Sequence, residues 1–271
     1  MTVGISEDLR ASPSGWRELV AYRGLLWTLA LREIKVRYKQ AVLGIVWAIL
    51  QPLSLMIVFT VFFSVILRVP SDGIPYPLFA FVALLPWSFF ATGLSSAIPS
   101  LTNNASLVTK VYFPREVIPL AAVLAAAVDF AVAALAFLGL LLYYRVGMTA
   151  HLLFVPGIFM IQVALTIGVA LFFSALNVKY RDVRHALPLV IQLWMFVTPV
   201  IYPVSVVPER YRALYLVNPM AGVIDSYRKV VVQGVAPDLW ALGLAALVST
   251  LIVMLSWSYF QRAERTFADV I

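Results

Sequence analysis

NVKYRDVRHALPLVIQLWMFVTPVIYPVSVVPERYRALYLVNPMAGVIDSYRKVVVQG, residues 177–234, carries the signals from which the rest of the chain can be read. It begins with a cationic cluster, Lys179, Arg181 and Arg184, beside His185. An uncharged segment from Ala186 to Tyr202 follows, with Pro188 at its start and Pro199 and Pro203 at its end. At about 17 residues it is near the lower limit for a helix crossing a hydrocarbon core roughly 30 Å thick. Next come Pro208-Glu209-Arg210-Tyr211-Arg212 and a second apolar run, which Asn218-Pro219 interrupts because proline disfavours helix in the residue before it. Beyond the break, Val223, Ile224, Tyr227, Val230 and Val231 recur at helical spacing, with Asp225, Ser226, Arg228, Lys229 and Gln233 between them. Two short helices with one wet and one apolar face suit a membrane interface or a re-entrant hairpin buried in protein. The hairpin reads as a lid on a passage.

Working outward, 62% hydrophobic and 12% charged residues in 271, with a mean hydropathy of +0.94, leave too little polar surface for a soluble globule. An all-α integral membrane protein is expected. Cysteine is absent and only two histidines are present, which excludes disulfides and cysteine-based metal or redox chemistry. The net charge of +7 need not mean nucleic acid, because in a membrane chain the position of the charge is what matters.

Residues 1–14 are polar, with Glu7 and Asp8 where a signal peptide carries basic residues, so no cleaved signal is expected. From Trp16 to Gln40 the chain is amphipathic. Trp27, Ala30, Leu31, Ile34 and Tyr38 mark one face and Arg32, Lys35 and Lys39 the other, as in a helix lying among headgroups with its basic face toward anionic lipid. Uncharged or nearly uncharged runs then place six spans: about Val42–Leu67, Pro77–Ile98, Val117–Tyr144, Leu152–Leu176, Ala186–Tyr202 and Leu239–Phe260. Residues 1–40 form an N-terminal region with the interface helix, 41–260 the membrane domain and 261–271 a tail, all within one domain. Six crossings put both termini on one side. If that side is the cytoplasm, the inner segments hold fourteen of the 20 basic residues, as the positive-inside rule requires.

Several residues are candidates for chemistry. Asp129 is the acid deep within a span, either a proton or cation site or the partner of a neighbouring helix. No nucleophile elbow, HExxH or GxxxxGK[ST] occurs, so no enzyme site stands out and any ATP must be handled by a partner. Aromatic residues cluster as Phe59, Phe62 and Phe63 in span one, Trp87, Phe89 and Phe90 in span two, and Trp194, Phe196 and Tyr202 in span five. Such rings either line a channel that passes a polysaccharide or simply pack in the core and the interfacial belt. The short polar excursion from Leu101 to Pro119, with an N-cap-like Asn103-Asn104 pair, is the candidate contact with a cytosolic partner or a mere turn.

Five stretches together resemble the transmembrane subunit of ABC-2 type polysaccharide exporters, the family that carries O-antigen, capsule and teichoic acid. They are REIKVRYKQAVLGIVWAILQPL (Arg32 to Leu53), LVTKVYFPREVIPL (Leu107 to Leu120), NVKYRDVRHALPL (Asn177 to Leu189), TPVIYP (Thr198 to Pro203) and NPMAGVIDSYRKVV (Asn218 to Val231). The resemblance implies a non-catalytic permease of a bacterial cytoplasmic (inner) membrane, a homodimer joined to two cytosolic ABC ATPase subunits that bind ATP and Mg. It implies ATP-driven export of a lipid-linked polysaccharide through a channel at the dimer axis. By matching motif, a coupling helix between spans two and three falls on Asn104, Leu107, Lys110, Val111, Tyr112, Phe113 and Arg115. Re-entrant outer gate helices between spans five and six fall on Tyr211, Tyr215, Asn218, Pro219, Tyr227 and Arg228. An ABC-2 exporter of a drug or lipid, or a secondary transporter using Asp129, are the competing readings.

Overall fold

A computed structural model describes residues 16–39 and 41–267. The described residues are helical, without strands, and the hydropathy runs locate the long elements well. A short α1 (Trp16–Ala21) precedes α2 (Arg23–Tyr38), which corresponds to the amphipathic N-terminal stretch. A 3-10 turn, α3 (Trp47–Phe59) and a π-helical segment (Thr60–Ile66) make up the first apolar run. The others are α4 (Tyr76–Ala97), α7 (Val117–Tyr143), α8 (Val155–Lys179, entered through a 3-10 turn) and α12 (Leu239–Glu264). These five runs are long and apolar enough to cross a membrane.

α4 is the axis of the bundle. Leu78 to Phe90, apart from half-buried Ser88, are buried on every side, the mark of a helix enclosed by others rather than facing lipid. α7 runs antiparallel to it, so that Phe81 stacks on Phe137 at 5.4 Å and Phe89 meets Phe130 at 5.8 Å. α8 and α12 run parallel: a Cβ on Gly168 would lie 2.8 Å from Ile252 Cγ2, and Phe172 meets Tyr259 at 5.1 Å. The sequence has no glycine pair at the GxxxG spacing of close-packed helices, yet Gly168 achieves the same approach alone.

Between these parallel helices the chain must return along the bundle. The expected span Ala186–Tyr202 is instead α9 (Val183–Val197) followed by a turn, in which Val200 N donates to Thr198 O at 2.7 Å. Pro199 forces Thr198 out of the helical region, to φ −108° and ψ 143°. α9 alone is about 22 Å long, short of the hydrocarbon thickness. It nevertheless brings Trp194 against Phe90 in the middle of α4, and the following residues place Ile201 O where Tyr76 Oη, at the start of α4, donates to it at 2.9 Å.

The bundle thus has two ends. At the hairpin end, α10 (Glu209–Leu216) and α11 (Pro219–Tyr227) fold back, and a π turn (Arg228–Gln233) closes on Gly234 at φ +67°. α11 is buried along its length rather than split into wet and apolar faces. Gly222 makes this possible, since a Cβ there would lie 2.8 Å from Ala241 O and 3.2 Å from Ala245 Cβ. Gly222→Ala therefore lowers stability by about 1–3 kcal/mol, as overpacked sites do, read as a lower thermal midpoint of the purified chain in detergent. At the opposite, basic end, α5 (Ser100–Asn103) and α6 (Ala105–Lys110) join α4 to α7. A separate core of Leu101, Val108, Phe113, Val117, Trp257 and Phe260 lies there, covered by Leu25, Leu26 and Leu29 of α2. Glu7 and Asp8, and Arg10, one of the fourteen basic residues counted on the inner side, fall outside the described residues.

Candidate functional site

α2 docks onto α7 by its last turn instead of keeping every charge on a face turned to headgroups. Arg37 Nη1 pairs with Asp129 Oδ2, Arg37 Nη2 donates to Ser96 Oγ at 2.9 Å, and Tyr38 Oη donates to Asp129 Oδ1 at 2.7 Å. Burial, and then the bond to Asp129, push the Tyr38 phenol up to about 12, so it stays a proton donor at neutral pH. Of the two roles open to Asp129, the geometry supplies the partner of a neighbouring helix. The inner face of α2 is rotated from the expected one: Ala30 is buried and Ile34 and Tyr38 are half-buried, but Trp27 and Leu31 are exposed. Arg32, Lys35 and Lys39 are exposed as expected.

The segment expected to meet a cytosolic partner is a spur built of α5, α6 and the residues up to α7. Asn104 does not cap α6 with its side chain; its Oδ1 accepts from Arg32 Nη2 at 2.6 Å and its Nδ2 donates to Ser100 O at 2.9 Å. Leu107 is half-buried, and Phe113, at 4% exposure, is a core residue of the basic end rather than a contact surface. Arg115 ties the spur to the end of α12, donating from its side chain to Glu264 O and from its backbone to Glu264 Oε1 at 3.3 Å. What protrudes is Val111 (53% exposed) and Tyr112 (83% exposed), next to the exposed Lys110.

At the hairpin end, Asn218 is a three-way junction. Its Oδ1 caps α11 by accepting from Met220 N at 3.2 Å and also accepts from Trp194 Nε1 at 3.2 Å, while its Nδ2 donates to Thr198 Oγ1 at 2.9 Å. Pro219 occupies the first turn of α11, where its missing N–H is not needed. Arg228, 3% exposed, donates to Val200 O at 2.8 Å and Tyr202 O at 3.3 Å, and its guanidinium lies 3.7 Å from the Phe79 ring centroid. Burial pulls it down to about 9, opposed by Asp225 and other neighbours, which leaves it cationic at neutral pH. Tyr227 donates to Gln162 Oε1 at 3.3 Å and Tyr215 to Tyr202 Oη at 3.2 Å, whereas Tyr211 is exposed. Thus two carbonyls in the turn after α9 are satisfied by the side chain of a residue 28 and 26 positions later, a pairing that local periodicity does not reveal.

The channel aromatics divide sharply. Trp87, Phe89 and Phe90 are buried inside the single chain, Phe89 packing on Phe130 and Phe159. Phe59, Phe62 and Phe63 do not share a face. The π segment after Phe59 widens the turn, so that Phe63 packs edge-on against buried Phe59 at 5.5 Å while Phe62 points outward at 54% exposure. Trp194 and Tyr202 are half-buried at the Asn218 and Arg228 junctions. The exposed apolar surface of the first run and of α9 includes Phe62, Val65, Leu189, Leu193, Phe196 and Val197.

The ABC-2 type transporter family model matches residues 24–232. An O-antigen export system permease protein RfbA of Myxococcus xanthus is 35% identical over 258 residues, covering 94% of this chain and 98% of that one. An O-antigen export system permease protein RfbA of Klebsiella pneumoniae is 31% identical over 250 residues, 91% and 95% of the two chains. A polysialic acid transport protein KpsM of Escherichia coli is 22% identical over 241 residues, 87% and 92% of the two.

Proposed function

We infer, because the chain belongs to the ABC-2 type transporter family, that it is the membrane-spanning permease subunit of an ATP-driven polysaccharide exporter. The observation that carries this is the match to O-antigen permeases over nearly the full length of both chains. The chain spans the membrane several times and does no covalent chemistry; hydrolysis of ATP with Mg falls to a separate subunit. Two copies of each subunit form the working unit, and a lipid-linked glycan such as O-antigen or capsule is the cargo.

The basic end faces the cytoplasm of a bacterial inner membrane, with both termini there. α9 and the turn after it make a sixth crossing, a reading supported by the parallel run of α8 and α12, which requires a return between them. The Val111–Tyr112 tip enters a groove of the ATPase, and Asn104, Leu107, Lys110, Phe113 and Arg115 hold that tip. The hairpin is the outer gate, with Tyr211 and Tyr215 on its outer helix and Asn218, Pro219, Tyr227 and Arg228 anchoring it. The second copy covers the bare apolar sides of α3 and α9, and the channel runs between copies with Phe62 and Phe196, not the buried rings of α4, beside the glycan.

The test is co-purification with an ABC ATPase subunit, followed by movement of lipid-linked glycan in sealed vesicles. Glycan transfer that requires hydrolysable ATP is the expected result. Flux that persists without ATP and stops in Asp129→Asn would replace this reading with an ion-coupled carrier.

A further inference from the structure

The basic end holds a cavity of about 310 Å³ that neither the spur tip nor the hairpin uses. It lies between α5 and the start of α6 on one side and the α8–α9 junction on the other, walled by Thr102, Asn103, Asn177, Arg181 and Arg184 among others. Two guanidinium groups border this space and no carboxylate lines it. Among the described residues neither arginine is in an ion pair. The N-terminus of α9, at Val183, adds the positive end of a helix dipole beside them.

Asn177 supplies a second and independent sign of a ligand. It is 1% exposed, and its Nδ2 donates to Thr102 Oγ1 at 3.4 Å. That hydroxyl already gives its own proton to Pro99 O at 2.9 Å, so the amide cannot be reversed without setting two acceptors against each other. Asn177 Oδ1 is left without a hydrogen-bond partner among the described residues, a costly state for a buried acceptor. The wall thus presents forked cationic donors for oxyanions and one unmet acceptor for a hydroxyl.

We propose that this cavity binds the phosphorylated sugar end of the lipid-linked glycan at the inner membrane surface before transport begins, an assignment that rests on the exporter reading above. A phosphate beside a sugar hydroxyl satisfies both features at once. The glycerol phosphate headgroup of phosphatidylglycerol shares this chemistry and is the other source to distinguish.

The full chain in phosphatidylcholine nanodiscs is titrated with N-acetylglucosaminyl diphosphate carried on a short isoprenyl chain, and with the same chain ending in an alcohol. The wild type is expected to bind the diphosphosugar lipid in preference to the alcohol, and Arg181→Gln with Arg184→Gln to weaken that binding on the order of tenfold or more. Both arginines are exposed, so the fold should tolerate the change, and Arg181→Lys with Arg184→Lys should recover part of the affinity. Equal binding by wild type and the glutamine variant overturns the proposal. Displacement of the probe by an equal amount of phosphatidylglycerol also overturns it, in favour of a bulk-lipid site. The readout needs neither ATP nor flux, so loss of the site with ordinary export in vesicles leaves the exporter reading standing.

Discussion

Replacing Val111 and Tyr112 together by glutamate is expected to reduce glycan export about 100-fold while the chain stays folded. Both side chains project from the spur, and burying an unpaired carboxylate in an apolar groove costs several kcal/mol. About 3 kcal/mol lost at the contact corresponds to roughly a hundredfold in affinity for the ATPase or in coupled turnover. The measurement is export in vesicles alongside the thermal midpoint and ATPase recovery on co-purification. Phe113→Glu is the contrasting variant: it places a charge in the core of the basic end and lowers the midpoint itself. Export at the wild-type rate from the Val111 and Tyr112 variant would remove the spur from the coupling path.

The second large effect is expected at Arg228. Its guanidinium satisfies two carbonyls and stacks on Phe79, a combination that a lysine ammonium cannot reproduce. Arg228→Lys should cost about 2 kcal/mol and Arg228→Met about 3 kcal/mol, because each leaves a buried carbonyl without a donor. Hydrogen exchange localises the effect: amides of α11 and of the segment after Pro199 lose protection first, while α8 and α12 hold theirs. Uniform loss of protection across the bundle would show that the residue supports the whole fold rather than the hairpin.

The long apolar elements were legible because hydropathy and charge spacing act within one helix. α4, α7, α8 and α12 begin and end within a few residues of the uncharged runs. α9 was overextended because an uncharged run does not reveal where Pro199 ends the helix. The face shared by Phe59, Phe62 and Phe63 assumed α-helical spacing and failed where the backbone becomes π-helical. The partner of Asp129 could not be read locally, since Arg37 lies 92 residues away on a helix whose basic face, Arg32, Lys35 and Lys39, points to lipid headgroups by its spacing. The spur was found by its position between two spans, but only the tertiary packing separates its anchors, Phe113 and Arg115, from its tip.

The seam between α8 and α12 bears on how the molecule can move. With Ile252 and Val253 wedged against the bare backbone of Gly168, sliding either helix by a single residue would drive a side chain into a slot that has room only for hydrogen. These two helices therefore travel as one stiff keel, and any stroke delivered to the bundle is expected to be taken up by pieces not riveted to it: the π-wound end of α3 and the turn between α9 and the hairpin.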